Sequence, residues 1–229
     1  MDEIAPGIFA IPGLKMGRSY LLEGNDGVAL VDTSSNSASA PILAAITDTG
    51  HRPEDLRAIV ATHYHYDHTG NAGALIDRSG AQLCVHADDA PYVEGRATWM
   101  PPNPPFGFLN RFAPAPFALK VDRVLQDGDV LPYAGDLRVI HAPGHTPGHI
   151  ALYSRERRVL FAGDALMNSG GLRLPMAMST HDMDAARRSI CQLAELDFDI
   201  ALPGHGHPII GRANEKIADW AKAWVKRAR

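Results

Sequence analysis

Short apolar runs separated by turn residues dominate the first part of the chain. Apolar residues concentrate at positions 7–11, 19–22 and 28–31, and the turn-forming segment 23–27 separates the last two runs. Runs of this length bounded by glycine, asparagine and aspartate are typical of β-strands. The pattern predicts an antiparallel meander at one edge of a β-sheet.

Helical periodicity appears between the strands that follow. Residues 39–48 show apolar positions at helical spacing and end just before Gly50, which can close a helix. A second helix is predicted over 71–78, between strands at 56–61 and 81–85. The run at 56–61 is almost continuously apolar, as expected for a strand that is buried on both faces.

The second half repeats this organisation without repeating the sequence. Its predicted strands and helices are, in order, strands at 124–125, 129–131 and 137–140, a hairpin of 150–153 with 159–162, a helix over 183–196, a strand at 199–202 and a helix over 213–227. Thr180 and Asp182 both precede the first of these helices and could cap it. Strand groups followed by helices, twice over, predict an α/β fold of two packed sheets with helices outside.

Composition narrows the class of protein. The chain has 229 residues, 45% of them hydrophobic and 21% charged, so we expect one globular domain over residues 1–229. The net charge of −4 provides no basic field for nucleic acid, and no apolar run reaches about 18 residues, so we expect no membrane span. Two cysteines are too few for a disulfide framework. The low cysteine content, together with an acidic N-terminal segment that is interrupted by proline, predicts a cytoplasmic protein.

Potential metal ligands are concentrated directly after the strand predicted at 56–61. His63, His65, Asp67 and His68 lie within six residues. Alternate residues of an extended segment point the same way, so His63 and His65 can bind one ion. Asp67 and His68 follow in the turn into the next helix, where they face a neighbouring position.

Three later segments share one design, a short apolar strand that ends in a tight turn. In each turn a glycine directly precedes one ligand-type residue, namely His145, Asp164 or His205. Glycine allows a sharp turn and a close approach to an ion. The seven candidates are imidazoles and carboxylates without a thiolate, a set that suits zinc, iron or manganese. Seven ligands are too many for one tetrahedral ion and fit two ions that share a carboxylate.

The ordered motifs resemble those of the metallo-β-lactamase-fold hydrolases. Thr-His-Tyr-His-Tyr-Asp-His matches that family's His-x-His-x-Asp-His signature, and Pro-Gly-His-Thr-Pro-Gly-His, Ala-Gly-Asp-Ala and Pro-Gly-His-Gly match its later metal motifs in the same order. The resemblance implies a four-layer αββα sandwich. It also implies one metal bound by His63, His65 and His145, a second bound by Asp67, His68 and His205, and Asp164 bridging both.

The resemblance favours the glyoxalase-II-like or lactonase-like branch over true β-lactamases. One dinuclear β-lactamase group has a cysteine ligand at the position of Asp164, and the other dinuclear group lacks the bridging aspartate. It implies two Zn²⁺ ions, with iron or manganese as alternatives, and a metal-bridging hydroxide that attacks an ester, thioester or lactone with an apolar portion. Asp67 and Asp164 would hold the ions and orient the hydroxide as catalytic residues. One alternative is an oxidoreductase similar to persulfide dioxygenase, with a single iron, and another is a metal-binding module without activity.

Substrate contacts are predicted in two segments. Residues 99–118 form an insertion rich in proline and aromatic residues. It packs over the site, with Trp99, Phe106 and Phe108 contacting a small-molecule substrate, or it covers the domain's own surface, or it contacts a second copy in a homodimer. Met167 and His181 belong to the loop after Asp164, which could cover the site. Asp32, at the end of the strand at 28–31, is predicted to orient a ligand loop.

Overall fold

Two β-sheets and their flanking helices make up the computed structural model, which describes residues 1–35, 38–97 and 118–225. The first sheet has seven strands in chain order. They are β1 (Asp2–Ala5), β2 (Ile8–Ala10), β3 (Tyr20–Gly24), β4 (Gly27–Val31), β5 (Leu56–Val60), β6 (Gln82–His86) and β7 (Arg123–Leu125). Strands β1 to β4 pair antiparallel and form the predicted edge meander, whereas β4 to β7 pair parallel.

The second sheet has the order β15-β14-β11-β10-β9-β8. Its strands are β8 (Val130–Leu131), β9 (Leu137–His141), β10 (Ile150–Ser154), β11 (Val159–Gly163), β14 (Ile200–Pro203) and β15 (Ile209–Ile210), and a separate small ribbon pairs β12 (Met167–Asn168) with β13 (Leu172–Arg173). The predicted hairpin is β10 with β11. Strand β14 pairs parallel to β11, so both strands end at the same edge of the sheet.

The helices cover the outer faces. They are α1 (Ser39–Asp48), α2 (Tyr66–Thr69), α3 (Ala72–Ser79), α4 (Ala90–Val93), α5 (Met183–Leu193) and α6 (Ala213–Val225), with 3₁₀ turns at Pro53–Asp55 and Ala177–Ser179. One apolar cluster, which includes Leu22 and Phe161, lies between the sheets. A second packs the first sheet against α1 and α3, and a third packs the second sheet against α5 and α6. Three apolar interfaces separate four layers, so the predicted αββα architecture is confirmed.

Short and exposed elements depart from the prediction. Strand β1 was not predicted because Asp2 and Glu3 are polar and exposed at the sheet edge. Helix α5 begins behind Asp182, whose side chain accepts hydrogen bonds from the backbone N–H groups of Asp184 and Ala185, while Thr180 bonds elsewhere. In the part of the chain that the structure describes, no helix combines the length and apolarity needed to cross a bilayer.

Candidate metal centre

The seven predicted ligands meet at the edge where the strands of both sheets end. Strand β5 leads into the loop that carries the first four, and the turns after β9, β11 and β14 carry His145, Asp164 and His205. Their donor atoms form two clusters, and a third group of His63, His68 and Asp164 shares one histidine with each of them. The first cluster is His63, His65 and His145, and the second cluster is Asp67, His68 and His205.

In the first cluster, three ring nitrogens converge. His65 Nδ1 lies 3.1 Å from His63 Nε2 and 3.0 Å from His145 Nε2. Donor atoms bound tetrahedrally to one zinc ion at 2.0–2.1 Å are about 3.3 Å apart, so the spacing fits a single ion. All three side chains are buried.

The second cluster is more open. His205 Nε2 lies 3.4 Å from His68 Nε2 and 3.1 Å from Asp67 Oδ2. His68 is fully buried, whereas about a quarter of the Asp67 and His205 side-chain surfaces is exposed, at 24% and 22%. Solvent and ligands therefore approach the centre from this side.

Asp164 lies between the clusters. Its Oδ2 atom is 3.5 Å from His145 Nε2 and 3.3 Å from His205 Nε2, and its Oδ1 atom is 3.5 Å from His68 Nε2. Among the described residues, no group makes a hydrogen bond to the buried Oδ1 atom. A buried carboxylate oxygen without a donor is costly unless a cation neutralises it, so this atom fits a metal ligand.

Hydrogen bonds fix which histidine nitrogen faces the centre. The Thr62 hydroxyl donates to Asp32 Oδ2 (2.8 Å), so it can only accept from His63 Nδ1, 3.0 Å away. Asp32 Oδ2 likewise accepts from His68 Nδ1 at 2.8 Å. In both rings Nδ1 carries a proton, so Nε2 is the nitrogen that can bind a metal, directly in His63 and after loss of its Nε2 proton in His68. The prediction that Asp32 orients a ligand loop is confirmed.

Thr180 does the same for His145. Its hydroxyl donates to the carbonyl oxygen of Met176 (2.9 Å) and therefore accepts from His145 Nδ1 at 3.1 Å. This role replaces the helix cap that was predicted for Thr180. Three histidines are thus oriented with Nε2 toward the centre, which is the strongest evidence that the residues fit a metal centre.

The first cluster is electrically neutral. Burial, together with the neighbouring imidazoles, holds the pKa values of His63 and His145 well below the usual 6.5. Burial likewise lowers the pKa of His65 to about 3, against the opposing effect of Asp164. The cluster carries no protons that a metal would have to displace at neutral pH.

The second cluster is charged. Burial would lower the pKa of His68, but the carboxylates of Asp32 and Asp164 outweigh it and raise the pKa to about 9. Burial opposes a charged His205 as well, yet hydrogen bonds with Asp164 and Asp67 raise its pKa to about 10. Burial would raise the pKa of Asp67, but His205 and His68 bring it to about 2. Two protonated imidazoles therefore face ionised carboxylates.

Close backbone approach depends on two glycines. A Cβ atom on Gly204 would lie 2.2 Å from Asp164 Oδ1, and one on Gly163, whose φ is +51°, would lie 2.7 Å from His149 Nε2. His149 is fully buried, accepts a hydrogen bond from the Asp164 backbone N–H (3.0 Å) and contacts the carbonyl oxygen of Ala142 (3.1 Å). It holds the turn that presents Asp164.

Sequence reasoning missed Asp89. This buried carboxylate accepts hydrogen bonds from the Tyr64 backbone N–H (3.0 Å), the Thr146 hydroxyl (2.7 Å) and the Gly148 backbone N–H (2.7 Å). It ties the loop of His63 and His65 to the loop of His145 and so braces the first cluster. Because Asp89 directly precedes Ala90 and Pro91, its sequence context is typical of a helix cap, and nothing in the sequence distinguishes the two roles.

The predicted substrate residues have different outcomes. Trp99, Phe106 and Phe108, and with them all but the last residue of the 99–118 insertion, lie outside the described residues. Met167 is half-buried in β12, next to Asn168, whose N–H donates to the carbonyl oxygen of His205 (3.0 Å). His181 is also half-buried, and its backbone N–H donates to the carbonyl oxygen of His145 (3.1 Å). Contact of either with substrate remains a prediction.

A further group of possible ligands, His86, Asp88 and His141, lies apart from the centre. The two rings stack with centroids 4.2 Å apart and planes within 13° of parallel, so one ion cannot lie in both ring planes. The nitrogens nearest Asp88 are also engaged, His86 Nδ1 by the Asp88 N–H and His141 Nε2 by the carbonyl oxygen of Pro147. We assign no metal to this group.

Comparison with known proteins agrees with this architecture. Residues 12–205 match the model of the metallo-beta-lactamase superfamily. The chain is 33% identical over 177 residues to the probable metallo-hydrolase YflN of Bacillus subtilis, which covers 69% of this chain and 67% of that protein. It is 29% identical over 208 residues to the acyl-coenzyme A thioesterase MBLAC2 of Gallus gallus, covering 81% of this chain and 71% of that protein.

Among solved structures, the chain resembles a metallo-beta-lactamase family protein from Thermus thermophilus. The TM-score is 0.75 at 26% identity, over 98% of this chain and 81% of the other. The similarity extends over both sheets and their helices.

Proposed function

The chain belongs to the metallo-beta-lactamase superfamily, and on that premise we propose that it is a dinuclear metal-dependent hydrolase of an ester, thioester or lactone with an apolar portion. Similarity to a metallo-hydrolase and to a thioesterase supports hydrolysis. The observation that carries the dinuclear reading is the position of Asp164, whose carboxylate lies within 3.5 Å of nitrogens from both clusters.

In this proposal the first cluster holds one ion, the second cluster holds the other, and Asp164 binds both. Zinc is the metal we favour, because imidazole and carboxylate ligands without thiolate suit it and the donor spacing matches a tetrahedral ion. When bound, two such ions supply Lewis acidity, which acidifies water and polarises an acyl carbonyl group.

Residues of the chain orient the attacking water and hold the ligand rings in place. Asp67 and Asp164 are ionised at neutral pH, since contacts with protonated histidines outweigh burial and lower both pKa values. Asp67 Oδ2 lies on the more open side of the centre, where it can accept a hydrogen bond from the attacking water and align it. Asp32, Asp89 and the two threonines keep the ligand rings in place, so little reorganisation is needed during turnover.

Exposed methionines support an apolar portion in the substrate. Met176 and Met178, 57% and 47% exposed, precede Thr180 beside the first cluster. Met16, 54% exposed, precedes Gly17, where an added Cβ atom would lie 2.0 Å from the Asp67 carbonyl oxygen beside the second cluster. Flexible thioether side chains adapt to apolar ligands of varied shape, as acyl chains are.

Metal analysis tests the proposal first. Protein purified without added metal or chelator is analysed for metal ions per chain and then assayed on matched butyryl substrates: the p-nitrophenyl ester, the coenzyme A thioester and γ-butyrolactone. We expect about two zinc ions per chain and hydrolysis of at least one substrate.

One iron per chain with oxygen consumption on a persulfide would overturn the proposal in favour of the oxidoreductase. Full loading with two ions and no hydrolysis across the panel would instead favour a metal-binding module. Loss of hydrolysis on chelation and recovery with zinc is the control for contaminating esterases.

A further inference from the structure

A tyrosine and a histidine outside the ligand set are joined at the border of the first cluster. Tyr64 Oη lies 2.8 Å from His181 Nε2, although the two residues are 117 positions apart. Both are anchored to ligands: Tyr64 stands between His63 and His65, and the His181 N–H donates to the carbonyl oxygen of His145. The pair is therefore built into the same frame as the three ligands.

The two members differ in exposure. Tyr64 is buried, at 6% of its surface exposed, and its ring stacks on Tyr92 with centroids 4.4 Å apart and planes within 10°. His181 is only half-buried. His181 is therefore the member of the pair that solvent can reach, while the phenol of Tyr64 is covered.

The chemistry of the pair determines which nitrogen carries the proton. A phenol is the better donor and an imidazole nitrogen the better acceptor, so the Tyr64 hydroxyl donates to His181 Nε2. A neutral imidazole has one proton, which then lies on Nδ1. Tyr64 therefore acts by fixing the tautomer that leaves a proton on Nδ1.

We propose that the His181 Nδ1–H, set by Tyr64, donates a hydrogen bond to an acyl oxygen of the substrate beside the first cluster. The proposal rests on the proposed function, in which an acyl compound enters this centre. His181 is then a substrate-binding residue, and Tyr64 is a positioning residue that acts through it.

The tautomer can be measured directly. In zinc-loaded protein with ¹⁵N-labelled histidine, we expect the Nδ1–H form of His181, and we expect butyrate, the acyl product of the butyryl ester and thioester, to shift its resonance. Tyr64→Phe should remove the preference for this tautomer, whereas Tyr92→Phe, which keeps the stacked ring, should leave it unchanged. An Nε2–H tautomer in the wild type, or a resonance that bound butyrate leaves in place, would overturn the proposal.

Two amide variants separate the nitrogens in kinetics. The amide of Asn can place a donor where Nδ1 lies, and the amide of Gln can replace Nε2. We expect His181→Asn to keep kcat/KM for the preferred butyryl substrate within about threefold and His181→Gln to lower it about 5- to 10-fold, the loss of one hydrogen bond. Adding Tyr64→Phe to His181→Gln should cost less than a further twofold, because Tyr64 acts on the substrate only through the Nδ1–H that Gln lacks.

The failures are distinguishable. If wild-type protein neither hydrolyses the butyryl panel nor binds butyrate, the proposed function fails. If it hydrolyses a butyryl substrate and His181→Gln is as active as His181→Asn, the hydrolase stands and only the role of His181 is wrong.

Discussion

The two clusters of the candidate centre use different physics to prepare for a metal. The first is buried, made of three imidazoles, and neutral because burial and mutual repulsion lower its histidine pKa values. The second is more open and charged, because carboxylates raise the pKa values of His68 and His205 to about 9 and about 10. One cluster is preorganised by shape, and the other is held together by ion pairs that a metal must replace.

Their supports differ in the same way. Asp89 braces the first cluster through backbone and hydroxyl groups and touches no ligand ring. Asp32 supports the second cluster by direct contact with His68 Nδ1. The contrast indicates that the first ion depends on loop geometry, while the second depends on charge.

Removing the carboxylate of Asp164, which both clusters share, should weaken both metal ions alike and should have the largest effect on metal affinity. In Asp164→Asn the amide replaces the one anionic ligand common to both clusters, so both ions should bind at least about 100-fold more weakly, since even groups that only support ligands cost 10- to 100-fold. Equilibrium dialysis with zinc and kcat/KM on the preferred butyryl substrate measure this. The matched control is Asp219→Asn on the surface of α6, which should change neither; retention of one tightly bound ion in Asp164→Asn would contradict a bridging role.

The second largest expected effect is that of pH, which should change the metal affinity of the second cluster but not that of the first. Raised pKa values mean that the charged forms of His68 and His205 stabilise the metal-free fold fully below about pH 6.5 and that this contribution is lost as the pH rises through about 9 to 10. Metal needs the deprotonated rings, so affinity for the second ion moves the opposite way and should fall about 100-fold per unit as pH drops from 8 to 6. The first ion displaces no histidine proton in this range.

Calorimetry in two buffers of different ionisation enthalpy counts the protons released. We expect about two more protons for the second ion than for the first at pH 7. Equal proton release for both ions would show that the electrostatic contrast is wrong.

Much of this arrangement could be predicted from the sequence because it is local. Helix α1 was predicted with the bounds Ser39–Asp48, and the ligands were found because each follows a short apolar strand. Strands that end at one edge of a sheet bring such residues together whatever the loops between them.

The supporting groups could not be predicted because their contacts are long-range. Asp89 accepts hydrogen bonds from residues 25, 57 and 59 positions away, and its local context indicates only a helix cap. Thr180 also resembles a cap, yet its hydroxyl meets His145, 35 positions earlier. Short polar side chains have the same local preferences in both roles, so only the fold distinguishes a cap from a ligand support.

The smallest expected effects come from two matched substitutions, one in the support of each cluster. Asp32→Ala removes the acceptor of His68 Nδ1 and also that of the Thr62 hydroxyl, which orients His63. Because Asp32 contacts His68 directly and His63 only through Thr62, the second ion should bind about 10- to 100-fold more weakly and the first ion should be weakened less. Asp89→Ala removes a buried acceptor of three hydrogen bonds, so it should lower the free energy of unfolding by about 2–4 kcal/mol and weaken the first ion selectively. Chelator competition on both variants, followed by metal analysis, measures each ion, and urea unfolding of the metal-free proteins measures stability. If both variants lose the same ion first, the proposed difference between the two clusters is wrong, because supports that act mainly on different clusters should release different ions first.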